Sequence, residues 1–149
     1  MRRLYKLQKL TEFLKTLTIE GTEAKLYPIL TTAQSDATSK LAHLDGQQFL
    51  IARPECNDNG DSDQHSEIVS TAFFLLEKNL GQLATPEKEQ SQYDRLLDVA
   101  MSLIEIIDAA MTDSRCGLLS GLTTESVNIM PEASLFGGWL GYSIEINFV

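Results

Sequence analysis

The sequence predicts a single α+β domain, in which a small antiparallel sheet carries one long helix and an extra helix precedes it. Three patterns lead to this expectation: leucine spacing over residues 3–17, an apolar stripe over residues 86–112 and strict alternation over residues 139–149. The chain has 149 residues, of which 43% are hydrophobic and 22% charged, so it can bury one core of ordinary size. We therefore expect one domain spanning 1–149, with a basic amphipathic helix within residues 1–20 at its periphery.

The N-terminal segment combines apolar periodicity with positive charge. Leu4, Leu7, Leu10 and Leu17 recur at the spacing of one helical face. Residues 1–15 carry a net charge of +4, although the whole chain carries −9, which leaves −13 for the remaining 134 residues. A solvated helix face explains these basic residues, and a contact with an acidic neighbour is the alternative. The candidate interface residues in this segment are Arg2, Arg3, Lys6 and Lys9.

The middle of the chain alternates between strand and loop signals. Residues 25–32 are rich in strand-forming residues, but the proline at position 28 favours a sheet edge or an extended connection. The polar residues 35–45 are interpreted as a loop or a short helical turn. Residues 47–53 and 67–78 are interpreted as strands; for the latter, a helix is the alternative to its β-branched and aromatic composition.

The segment 86–112 gives the strongest local signal. Thr85 and Pro86 stand at the N-cap and first helical positions, and Glu87 and Glu89 place negative charge in the first turn. Leucine, isoleucine, valine and alanine then hold one face for four turns. A long amphipathic helix is the prediction.

The C-terminal segment reads as two strands. Residues 125–130 are expected to form a strand that ends at Pro131. In the final segment Leu140, Tyr142, Ile144, Ile146 and Phe148 fall on one face, and Trp139 falls on the other. Two alternatives remain for Trp139: a core residue covered by the long helix, or an exposed interface residue.

The sequence offers no recognisable catalytic or metal-binding motif. In the polar segment 56–66, an EF-hand alignment on Gly60 requires glutamate at residue 66, where serine stands. The chain has only two histidines and two cysteines, and they are scattered. Five residues of types that often form catalytic or metal sites lie in no known motif: His43, His65, Cys56, Cys116 and Ser120. We expect no catalytic residue, metal or cofactor.

The glycine positions argue against a phosphate-binding motif, and the net charge argues against a nucleic-acid-binding protein. Gly137, Gly138 and Gly141 precede or lie within a strand, whereas phosphate-binding glycines open a helix. Gly141 instead suggests the close approach of another backbone or side chain. The strongly acidic main body is not expected to bind nucleic acid, and no apolar run has the length of a membrane span. The two scattered cysteines suggest reduced thiols and a cytoplasmic location.

The stretch ESVNIMPEASLFGGWLGYSIEINFV, residues 125–149, resembles the ending of tail-completion or tail-terminator proteins of long-tailed bacteriophages and related prophage elements. The local pattern is carried by Gly138–Phe148, and the order of elements extends it to residues 47–149. The resemblance implies a non-enzymatic assembly protein whose subunits meet in a ring. Partners would be further copies of the chain or other phage assembly proteins.

Three hypotheses for function follow. The first is a structural or assembly protein of phage or prophage origin with homo-oligomeric, ring-like contacts. The second is a stand-alone acidic domain that binds a basic protein partner. The third is a small enzyme whose residues meet only in three dimensions.

Overall fold

A computed structural model describes residues 2–20, 25–58, 67–79, 81, 85–112, 119 and 122–149. The helices and strands follow in chain order: α1 Arg2–Thr16, β1 Ile19–Glu20, β2 Lys25–Leu26, β3 Pro28–Thr31, α2 Gln34–Leu41, β4 Gln47–Ala52, β5 Glu55–Asp58, β6 Glu67–Lys78, α3 Pro86–Thr112, β7 Thr124–Leu135 and β8 Trp139–Phe148. The predicted α+β class is confirmed, as are the N-terminal helix and the long helix. Residues 67–78 form a strand, as the composition favoured. Gly60, His65, Cys116 and Ser120 lie outside the described residues.

The main sheet has the strand order β3-β4-β6-β8-β7, and β5 pairs with β6 beyond the end of β4. Every pair is antiparallel except β3 and β4, which run parallel. The expectation of a purely antiparallel sheet was therefore wrong for this pair. The reason is α2, which links β3 to β4 and returns the chain to the start of the sheet, as a parallel crossover requires. The short strands β1 and β2 pair separately.

One face of the sheet is covered by α1 and α3. Residues from α3 pack with the inward row of β8, including Ile144 and Ile146, and with Phe73 and Leu75 of β6. Thr85 caps α3 as predicted: its Oγ1 accepts a hydrogen bond from the N–H of Lys88 at 3.2 Å. The predicted faces of the long helix and of the last strand thus meet in the main core.

The opposite face is covered in part by α2, which was expected to be a loop or a short turn. Ala37 and Leu41 of α2 are fully buried, and they form a second apolar cluster with Leu50, Leu76 and Trp139. Alanine spaced four residues from leucine gives α2 a narrow apolar side despite its polar composition. Trp139 is only 2% exposed, so its side chain is part of a core. The helix that covers it is α2, and the prediction of α3 as its cover was wrong.

Gly141 allows β6 and β8 to lie close together. Its φ is +151°, and a Cβ at this position would lie 2.0 Å from the carbonyl oxygen of Leu75 on β6. A side chain here would overlap that backbone atom, so only glycine is compatible with the observed pairing of β6 and β8. The prediction of a close approach at Gly141 is confirmed.

Two other strands differ from the prediction in length. β7 continues through Pro131 to Leu135, whereas a stop at Pro131 was expected. Proline is compatible with β7 because this strand lies at the edge of the sheet, where one row of N–H groups has no partner strand among the described residues. Within the polar segment 56–66, residues up to Asp58 belong to β5, which pairs with β6 through Cys56 and Val69.

Candidate functional site: the open edge of β7

β7 is a long strand at the end of the main sheet. Nine of its twelve residues are exposed, and within the described part of the chain its outer side pairs with no strand. Register shifts interrupt the strand between Thr124 and Ser126 and between Glu132 and Leu135. Between these irregularities lies an uncharged segment, Ser126–Pro131. An unpaired strand edge of this kind is a template for pairing with another chain.

The direction of the backbone groups follows from the pairing with β8. Thr123 and Val149 exchange two hydrogen bonds at 3.1 and 2.9 Å, so Val149 faces β7. In an antiparallel ladder alternate residues face the same neighbour, so Asn147, Glu145 and Ser143 also face β7. Their partners are Ser126, Asn128 and Met130. The backbone groups of the intervening residues, Val127, Ile129 and Pro131, therefore point away from the sheet.

α3 packs over β8 and β6, reaches β7 through two side chains, and runs in the opposite direction to β7. Tyr93 near its beginning donates a hydrogen bond from Oη to the carbonyl oxygen of Glu132 at 2.8 Å. Near its end, Met111 Sδ accepts a hydrogen bond from Thr124 Oγ1 at 3.4 Å. The helical distance between residues 93 and 111 and the strand distance between residues 124 and 132 are both about 27 Å. The two elements are thus matched in length along the sheet edge.

These contacts place one exposed apolar side chain of α3, Leu97, on the side of the helix toward β7. Tyr93 and Met111 are five turns apart and share this side. Leu97 is about 40° from it around the helix, whereas Met101 is about 80° from it and points away from the sheet. Leu97 is 37% exposed and Met101 50%. On β7, Val127 and Ile129 are opposite Ile146 and Ile144, so they project on the same face of the sheet as α3.

We call the residues on the α3 side of the β7 edge the β7 apolar strip: Leu97, Val127 and Ile129. Val127 is 44% exposed and Ile129 36%. Contiguous exposed apolar side chains are uncommon on monomeric proteins and mark contact surfaces. The strip has an open backbone edge directly beside it, so the two features form one candidate interaction surface.

Tyr93 anchors α3 to β7. Its ring makes an edge-on contact with Tyr142, with centroids 5.8 Å apart. Burial raises the pKa of the Tyr93 phenol, and the carboxylates of Glu89 and Glu132 add to the effect. The phenol is therefore neutral at physiological pH and able to donate its hydrogen bond to β7.

The other end of the sheet is closed. Thr31 of β3 accepts a hydrogen bond from the N–H of Arg53 at 2.9 Å, so the alternate residues Pro28 and Leu30 face outward. Pro28 has no N–H, and Lys40 Nζ donates to the carbonyl oxygen of Leu30. Both outward positions are thus unsuited to strand pairing, in contrast to β7.

Lys40 is itself held in place by Asp36, with 3.2 Å between Nζ and Oδ2. The same carboxylate oxygen accepts hydrogen bonds from the N–H of Thr32 and from Thr31 Oγ1. The backbone hydrogen bond, followed by those from Lys40 and Thr31, lowers the pKa of Asp36 below its usual 3.8. The residues that close the β3 edge are therefore fixed by a local charged network.

The residues predicted for an interface are not brought together. Arg2 and Arg3 begin α1, and Lys6 and Lys9 are half-buried on the same helix. α1 contacts β3, β5 and β6, so it lies away from β7. Trp139 is buried on the other face of the sheet under α2. The alternative in which Trp139 is an exposed interface residue does not match this position, because α2 shields its side chain.

The residues considered for chemistry are also dispersed. His43 is exposed in the turn after α2, and Cys56 is half-buried in β5. Among the described residues no group of three or more histidine, cysteine, aspartate or glutamate side chains could hold a metal ion. None of the described helices is long and apolar enough to cross a membrane.

The β7 apolar strip has only a weak signature in the sequence. Leu97 follows Leu96, so it reads as an extension of the buried stripe of α3. A helical projection places Leu97 about 110° from the centre of the buried face, beyond its margin, and an exposed leucine there is a weak signal. Val127 and Ile129 were indistinguishable from core residues until β7 was known to be an edge.

Comparison with models of known protein families finds no match to this chain. Comparison with curated proteins also finds no match.

Proposed function

We propose that this chain is a non-enzymatic structural or assembly subunit that acts by binding further copies of itself. The observation that carries the proposal is the open edge of β7 with the β7 apolar strip beside it. Such a surface offers backbone hydrogen bonds and apolar area together, which is what strand-mediated association uses. The resemblance of residues 125–149 to tail-completion proteins supports a role in phage or prophage assembly, with virion or cytoplasmic location.

A ring-like assembly needs a second contact on each subunit, and the charge distribution favours α1 for this role. Five basic residues lie within residues 1–15, whereas residues 116–149 contain no lysine or arginine. α1 contacts the β3, β5 and β6 side of the domain, so its basic residues are remote from the β7 edge. Oppositely charged surfaces on different sides of one subunit steer copies into a defined orientation.

The experiment is a measurement of mass in solution. Light scattering after size-exclusion chromatography, over a range from micromolar to several hundred micromolar protein, is expected to show a species larger than the 16.6 kDa monomer. Electron microscopy of the largest species would show whether it is a ring. A monomer at every concentration would contradict self-assembly and would favour the alternative of a stand-alone acidic domain that binds a basic partner.

A charge variant tests the α1 contact separately. Lys6→Glu is expected to reduce the largest assemblies, because it reverses a charge on α1. Lys88→Glu is the matched control, since Lys88 is exposed at the start of α3. Equal effects of the two charge changes would show that net charge alone, and not α1, governs assembly.

A further inference from the structure

We infer that two copies of this chain join through their β7 strands, antiparallel and edge to edge, around a two-fold axis at Asn128. This inference rests on the proposed function, because it specifies the contact by which copies associate. The joined strands would make one continuous sheet of twelve strands, because the main sheet of each copy has six. The occupant of the β7 edge is thus the same edge of a second copy.

The register follows from the backbone. Residues that point outward must pair with residues that point outward, so Val127 and Ile129 pair with each other or with themselves. An axis at Asn128 pairs Val127 of each copy with Ile129 of the other. The outward N–H and C=O groups of both residues then form hydrogen bonds in each copy. An axis at Ile129 would place Pro131, which has no N–H, opposite Val127. An axis at Val127 would pair Ile129 with Glu125, at the register shift.

The same axis brings the apolar side chains together. A two-fold axis perpendicular to the sheet keeps α3 of both copies on the same face, side by side and antiparallel. Tyr93 is beside Glu132 and Met111 beside Thr124, so the midpoint of the helical segment is near residue 102 and that of the strand segment is residue 128. The middle of α3 is therefore level with the axis along the strand direction, and Val127 and Ile129 lie closest to the axis on the α3 face. Both copies of the β7 apolar strip meet at the seam.

The uncharged segment of β7 and the closed edge of β3 both favour β7 of a second copy as the partner of the β7 edge. Ser126–Pro131 contains no charged residue, so pairing places no carboxylates opposite each other in this segment, although each chain carries −9. Glu125 falls opposite Pro131, and Glu132 falls opposite Thr124. A head-to-tail contact between β7 and β3 is disfavoured because Pro28 and Lys40 close the β3 edge.

The two-fold contact has a consequence for larger assemblies. An isologous contact uses the same surface on both copies and closes at a dimer. A ring would then be built from dimers through a different surface, such as α1, and would contain an even number of copies.

Disulfide cross-linking tests the register. In a background with Cys56→Ser and Cys116→Ser, Asn128→Cys places two cysteines opposite each other across the axis. They occupy a non-hydrogen-bonded pair, in which the Cα atoms are about 4.5 Å apart and within disulfide range. Mild oxidation is expected to convert most of this variant to a covalent dimer. Ser126→Cys alone should not cross-link, but its mixture with Met130→Cys should, because residue 126 pairs with residue 130.

Reversal of this pattern would overturn the inference. If Asn128→Cys stays monomeric under oxidation while the wild-type chain is oligomeric by light scattering, the copies associate through another surface and only this inference fails. If the wild-type chain is monomeric at every concentration and no variant cross-links, the proposed function fails with it.

Substitution within the strip provides a second measurement that does not need a disulfide. Ile129→Lys and Val127→Lys are expected to weaken self-association roughly tenfold or more, because each buries an unpaired charge at the seam. Tyr27→Lys is the matched control: Tyr27 is 65% exposed beside the closed β3 edge, so self-association should be unchanged. Circular dichroism confirms that each variant is folded. Equal self-association of Ile129→Lys and the wild type would contradict the inference.

Discussion

The replacement Trp139→Ala tests whether the second face of the sheet is a true core. Trp139 is 2% exposed, and its ring lies in a cluster with Leu41 and Leu76, which are fully buried. Truncation of a buried tryptophan to alanine removes apolar contacts and leaves a cavity, which costs about 3–5 kcal/mol. Because small domains are stable by only about 5–15 kcal/mol, the loss is a large share of the total. We expect the melting temperature to fall by roughly 6–20 °C.

The assay is urea denaturation followed by far-ultraviolet circular dichroism, since the variant has lost the only tryptophan of the chain. Tyr27→Ala is the control for an exposed aromatic residue and should change the free energy of unfolding by less than about 0.5 kcal/mol. A loss below about 1 kcal/mol for Trp139→Ala would refute the reasoning. It would mean that α2 does not hold the ring in a packed core.

Fluorescence of Trp139 identifies the helix that covers it. In the wild-type chain its emission should be blue-shifted and poorly quenched by acrylamide, because the ring is shielded from water. Leu41→Ala in α2 is expected to increase quenching, whereas Leu103→Ala in α3 destabilises the opposite face and should not. Equal quenching in both variants, measured well below their melting temperatures, would contradict the assignment of α2.

Three further predictions concern other elements. Gly141→Ala should destabilise the fold by about 3 kcal/mol or more, because its Cβ overlaps the Leu75 carbonyl; Gly138→Ala, which has only an unfavourable φ of +110°, should cost about 1–2 kcal/mol by thermal melting. Equal losses would show that the overlap is relieved by a small shift of the strands. Thr85→Ala should cost about 1 kcal/mol and Thr85→Ser little, since the hydroxyl caps α3; identical melting curves for the two variants would exclude the cap. Tyr93 has a pKa raised above 10.0, so its contribution to stability is present below pH 10 and is lost as the pH rises through the folded pKa. Absorbance at alkaline pH should show one late-titrating phenol that Tyr93→Phe removes, and its persistence in that variant would reassign it.

Local patterns determined much of the fold. The cap at Thr85 and the apolar stripe of α3 specify a helix without reference to the rest of the chain, because the interactions are between residues three or four apart. The alternation of β8 likewise specifies which side chains enter the main core. The bounds of α3, Pro86–Thr112, match the predicted 86–112 for this reason.

The predictions for α2 and for the end of β7 were wrong because both features depend on residues that are distant in sequence. α2 has a weak periodicity, and its burial depends on Trp139 and Leu76, which are distant in sequence. The stop predicted at Pro131 failed because a proline is tolerated on a strand whose outer side has no partner, and edge position is a property of the sheet.

The sequence by itself determined that this chain has a long capped helix, an amphipathic last strand and a basic N-terminal helix on an acidic body. It also indicated that position 141 accommodates a close neighbour, which the structure identifies as the backbone of Leu75. Only the tertiary structure decided that β7 is an edge and that Leu97 is on the side of α3 toward it, because exposure depends on which elements are adjacent and not on local periodicity. For the same reason the candidate interface is the edge strand β7 and not Trp139 on the neighbouring strand β8, because α2 covers Trp139.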